Sequence, residues 1–178
     1  MVRLQTKPPS IEGKGEITIR DLFRNSLRMR PRRIILGEIR GAEALDMLQA
    51  MISGHRGSLA VLHATSPQDA ISRLETMALL SGVSLPSWAI RRQIASSLNL
   101  IIQQDQLSDG SKKITHITEV RGIEDNEVIL QNLFPFGVSL PITNLTGTPI
   151  KSASLNLTPA DSIRSSKRTS ILFSTNLS

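Results

Sequence analysis

The sequence predicts an open α/β sheet that lacks its first strands and carries antiparallel strands at its far edge. Two short apolar runs, Ile34-Ile35-Leu36 and the segment 58–63, alternate with stretches of helical periodicity, the pattern of parallel strands joined by crossover helices. The later alternation of Ile114, His116, Thr118 and Val120, followed by the run 127–133, has the two-residue period of an antiparallel extension. At Gly137 the character changes: fifteen of the last 42 residues are Ser or Thr and Asp161 is the only acid there. The chain therefore divides into a folded unit, 1–136, and a loosely ordered tail, 137–178.

Residues 1–17 hold Pro8, Pro9, Gly13 and Gly15 without lasting periodicity and read as an extended, turn-rich connection. Thr18 is placed as an N-cap, and Ile19, Leu22, Phe23 and Leu27 follow at helical spacing until Pro31 forces an exit. The polar face of that helix carries Arg20, Arg24 and Arg28. Ile34 to Leu36 then reads as a strand buried on both faces, ended by Gly37 and followed by Glu38. A helix over 42–53 places Leu45, Leu48 and Ile52 on one side, with Gly54 as its C′ residue. After the strand 58–63, Ser66-Pro67-Gln68-Asp69 sets a cap, an N1 proline and an N3 acid in order for the next helix. A further helix follows Pro86, with Ile90, Ile94 and Leu98 four residues apart. The run 100–103 is a third strand, and Ser108-Asp109-Gly110 marks a hairpin turn.

Composition narrows the function classes. No apolar run approaches the roughly eighteen residues of a membrane span, and the absence of cysteine excludes disulfides and thiol chemistry. The start of the chain has no secretory-signal pattern, so a cytoplasmic setting is expected. The net charge of +6 lies wholly in residues 1–40, where ten Lys or Arg face Glu12, Glu16, Asp21 and Glu38. Such a segment suits nucleic acid, acidic lipid or nucleotide phosphates, and only the last explains why it leads into a strand ending in an acid. Phe23 is the only aromatic residue there, so platforms for stacking single-stranded bases are missing and no nucleic-acid partner is expected.

In open α/β sheets catalytic groups gather outside the carboxyl ends of the strands, where Glu38 and His63 stand. A carboxylate at Glu38 suits orientation of an attacking water or the magnesium shell; its simpler reading is an acid paired with Arg40. His63 suits a hydrogen bond to a phosphate oxygen or to Glu38, or a purely structural one. His55 stands in the turn Gly54-His55-Arg56-Gly57, whose glycines let the backbone approach a neighbouring group closely; its simpler reading is capping of the preceding helix. The arginines, Arg20, Arg28 and Arg30 among them, are natural donors to phosphate. The histidines do not have the spacing of a metal site. Nowhere is there a G-x-x-x-x-G-K-[ST] loop, so the sequence holds half of a nucleotide-hydrolysis site and reads as the carboxyl-terminal piece of an ATPase.

The stretch LRMRPRRIILGEIRGAEALDMLQAMISGHRGSLAVLHATSPQDAISRLETM resembles the ATPases of type II and type IV secretion systems, most of all the tight-adherence (Flp) pilus branch. The resemblance runs from about Val2 to Phe136. It implies a partial RecA-like P-loop NTPase core in which Ile34 to Glu38 is an atypical Walker B strand, with Glu38 the catalytic acid beside Gly37. It also implies a histidine box from Gly54-His55 to His63-Ala64 near the γ-phosphate, and nucleotide contacts from Arg20, Arg28 and Arg30. Further implied are ATP and Mg2+, a hexameric homo-oligomer ring or pairing with an intact homologue, and inner-membrane platform proteins met at the cytoplasmic face.

Three departures restrict that carry-over. The Walker A loop and acidic box are absent, so binding of MgATP by this chain is expected to be very poor. Arg32 stands where an acid is usual and Thr65 where asparagine is usual. The tail also ceases to resemble the family, as in a truncated or frame-shifted product. A non-enzymatic module of a secretion ATPase ring is the competing reading, and a basic nucleic-acid-binding protein a weaker one.

Overall fold

The computed structural model describes residues 1–106, 110–134 and 168–173. Ahead of the first helix, Lys7 and Ile17 pair through reciprocal backbone bonds of 3.1 and 2.9 Å around a turn at Ser10–Lys14. Helix α1 (Ile19–Arg28) starts in a complete capping box: the Thr18 hydroxyl accepts from Asp21 N while the Asp21 carboxylate accepts from Thr18 N. Strand β1 (Ile35–Leu36), α2 (Glu43–Ile52) and β2 (Leu59–Leu62) form a β-α-β unit whose strands pair in parallel, Ile35 with Leu59 and Leu36 with Ala60. Helix α3 (Pro67–Leu79) is capped as its sequence dictates, Ser66 accepting from Asp69 N, and α4 (Ser87–Ser97) follows. Strand β3 (Leu100–Gln106) pairs antiparallel with β4 (Lys112–Glu124), and β4 with β5 (Glu127–Phe134). Asp125 and Asn126, both at positive φ, make the two-residue β4–β5 turn.

The four helices of the described residues pack on one another, α1 on α2 and α2, α3 and α4 mutually. Their apolar sides meet alternate strand residues such as Leu36, Ala60, Leu62 and Ile101 in one core. The expectation that β1 is buried on both faces is corrected here. Ile35 is 60% exposed, because the described helices cover one face of the sheet and β1 is its edge.

The sheet order, β1-β2-β6-β3-β4-β5, holds the second correction. Residues 168–173, expected within a loosely ordered tail, form β6 (Arg168–Phe173), inserted antiparallel between β2 and β3. β2 and β3 thus run in the same direction, each paired with β6 and not with the other. The SILF segment has too little local pattern to announce a strand, and the sheet recruits it through backbone pairing on both sides. The rest of 137–178, and Ser108 and Asp109 of the expected hairpin turn, lie outside the described residues.

Gly57, in the turn before β2, has φ +80° and faces Arg33, whose Nε would lie 3.1 Å from an added Cβ. The arginine's flexible end can yield, but the left-handed backbone cannot. Gly57→Ala is therefore expected to cost about 1–2 kcal/mol in urea unfolding.

Candidate functional site

β1 and β2, being parallel and adjacent, bring their carboxyl ends side by side, which sets Glu38 opposite His63. Ile39 N donates to Val61 O at 2.8 Å, so the pairing continues past β1 and fixes the backbone on which Glu38 stands. The Glu38 carboxylate is shared: Oε2 lies 2.5 Å from Arg40 Nη2 and Oε1 lies 3.1 Å from His63 Nε2. Its side chain is 26% exposed, whereas those of Arg40 and His63 open to solvent. The Arg40 hydrogen bond is the main reason that Glu38 ionises below the usual carboxylate range, with the charges of Arg40 and His63 adding to it against a partial desolvation.

The site is braced from below by Glu43. This buried acid at the first turn of α2 accepts from Arg40 N at 2.6 Å and from Gly41 N at 3.1 Å, fixing the loop that carries Arg40. On the other side, Thr65 N and Thr65 Oγ1 both donate to Asp69 Oδ2, at 2.7 and 2.9 Å, closing the turn after His63 onto α3. Gln103, buried in β3, donates through Nε2 to Ala64 O at 3.0 Å and to Asp105 Oδ1 at 3.1 Å, and Thr115 Oγ1 donates to Asp105 Oδ2 at 2.8 Å. This polar chain ties the residue after His63 to the third strand. Sequence reading missed it; the signal is the unbroken polar run Gln103-Gln104-Asp105-Gln106 continuing an apolar strand.

The remaining sequence-named residues are placed differently. Gly37 and Glu38 line a cleft of about 620 Å³ whose walls are mostly apolar, from the N-terminal segment, α1 and β1. Arg20 lies in a salt bridge with Asp46 at 2.5 Å and reaches Ser81 O at 3.4 Å, binding α1 to α2 and to the end of α3. Arg28 and Arg30 are exposed, Arg30 with φ 49° at the turn into Pro31. His55 is not brought to Glu38. Its N–H donates to Ala50 O at 3.1 Å, and its carbonyl accepts from Ser58 Oγ, which in turn accepts from Ile34 N. That chain sits at the amino ends of β1 and β2, so β2 separates His55 from His63. Its Nδ1 is buried with no hydrogen-bond partner among the described residues.

The family described as type II/IV secretion system protein matches residues 3–131. The chain belongs to that family. It is similar to a putative conjugal transfer protein of Mycobacterium tuberculosis, 36% identical over 124 residues, covering 70% of this chain and 35% of that protein. It is likewise similar to the type IV secretion system protein VirB11 of Brucella suis, 37% identical over 112 residues, covering 61% and 30%. The solved VirB11 ATPase of Brucella suis, in complex with sulphate, superposes with a TM-score of 0.54 at 34% identity, over 58% of this chain and 32% of that one. The chain spans about a third of the length of the curated relatives it matches. The family resemblance and the mixed α/β class read from the sequence both hold.

For a member of this family, the titration of the strand-end acid is a direct check on the geometry. The ionised form of Glu38 is favoured by folding, so its contribution to stability is full at neutral pH. It is lost as pH falls through the lowered native value. Carboxyl NMR should place the Glu38 midpoint below that of an exposed glutamate, near pH 4.3. Arg40→Ala is expected to move it upward. An unchanged midpoint in that variant would remove Arg40 as the cause.

Proposed function

We propose that this chain carries the water-side half of the nucleotide-hydrolysis site of a secretion or pilus-assembly ATPase, with Glu38 as the catalytic acid. The observation that carries this reading is the Glu38 carboxylate held between Arg40 and His63 at the carboxyl ends of two adjacent parallel strands. Bound MgATP would supply a polarised terminal phosphoryl group. Glu38, kept ionised by Arg40, orients or deprotonates water there, and His63 holds one carboxylate oxygen in place. Arg28 and Arg30, unlike Arg20, are exposed and available to phosphate, within one chain or across a ring contact.

The residues fit only half of what nucleotide requires. The G-x-x-x-x-G-K-[ST] sequence, whose backbone N–H groups and lysine hold phosphates, does not occur among the 178 residues, so in this reading hydrolysis needs a segment from outside them. Assembly as a homo-oligomer or with an intact homologue, and work at the cytoplasmic face of an inner membrane against platform proteins, belong to the same proposal. Millimolar MgATP is expected to leave the unfolding transition of this chain unmoved. Ligand at a hundred times Kd would add about 2.7 kcal/mol, and such a gain would show that the chain holds nucleotide unaided.

A further inference from the structure

β6 differs from the other five strands of the sheet. It lies beyond the stretch that matches the family, and the segment 135–167 separates it from β5. It also stands between two strands, β2 and β3, that run in the same direction as each other. Without it, β2 and β3 would face each other across roughly 9–10 Å, twice the spacing of neighbouring strands, and neither could bond to the other. The fold thus contains a slot one strand wide with backbone donors and acceptors on both walls.

The walls also specify side chains. In one row Ala60, Leu172 and Ile101 lie in register and are buried to 1%, 1% and 0% exposure, the small Ala60 leaving room for Leu172 against the helix layer. In the next row Val61, Ile171 and Ile102 are half-buried on the opposite face. A filler must therefore be extended, with adjacent apolar residues at its centre.

We propose that the slot between β2 and β3 is a strand-acceptor site, that Arg168–Phe173 occupies it in cis as a plug, and that the plug competes with a strand of like pattern donated by another chain. No nucleotide enters into it, so failure here and failure of the hydrolytic reading are separable.

The sequence has no cysteine, which makes the register testable in the full chain. Val61→Cys with Ile171→Cys places two thiols directly opposite, and mild oxidation is expected to give a cross-linked monomer. Val61→Cys with Leu172→Cys sets them on opposite faces and should not cross-link. A labelled peptide of residues 166–175 is then added to the oxidised 61/171 chain and to a Leu172→Asp chain whose own plug is disabled. The peptide is expected to bind the Leu172→Asp chain at least about a hundredfold more tightly and to restore its cooperative melting. Absence of the 61/171 cross-link, or cross-linked dimers in its place, overturns occupancy in cis. Equal binding to both chains, or a Leu172→Asp chain that neither binds the peptide nor recovers its transition, overturns the acceptor site.

Discussion

Leu62→Ala is expected to lower the unfolding free energy by about 2–5 kcal/mol, seen as a lower urea midpoint with an unchanged slope. Leu62 is wholly buried, on the same face of β2 as Ala60 and one residue before His63. Removing its isobutyl group leaves a cavity at the join of β2, the helix layer and the row that β6 completes through Ser170. Val61→Ala, on the half-buried face, should lose much less. Equal losses for the two would mean that the helix layer does not cover the face carrying Leu62.

Glu43→Ala is expected to cost about 1.5–3 kcal/mol and to disturb the site as well. Two backbone N–H groups, of Arg40 and Gly41, lose their shared acceptor in a partly buried loop. Arg40 is then free to leave Glu38, so the Glu38 titration should move upward in this variant as it does in Arg40→Ala. Glu43→Gln keeps an acceptor oxygen and should retain most of the stability. If Glu43→Ala lowers stability without moving the Glu38 titration, Glu43 braces the helix start and not the site.

What the sequence revealed was what is decided locally. Thr18, and Ser66 with Pro67 and Asp69, were read as helix starts, and both caps form as read, Asp21 completing the first as a capping box. The spacing of Ile90, Ile94 and Leu98 names a buried face because helical periodicity is itself local. The pairing of Glu38 with both Arg40 and His63 was among the readings open to the residues, since adjacent parallel strands end side by side. The salt bridge of Arg20 was not legible, because its partner Asp46 is brought to it only by helix packing. The position of β6 depends on a slot that exists only once β2 and β3 are in place. The separation of His55 from His63 follows from β2 spanning the sheet between them, which a short histidine-rich stretch of sequence does not display.

The central claim is that Glu38 is the hydrolytic acid of a site completed by residues from outside these 178. It is tested most directly by grafting residues 3–131 into an intact ATPase of the family, in place of the matching segment, and measuring steady-state ATP turnover with Glu38 and with Glu38→Gln. Turnover that falls by about a hundredfold or more on Glu38→Gln is the expected result. Turnover that survives that change undiminished would contradict the claim and leave Glu38 as a strand-end partner of Arg40 and His63.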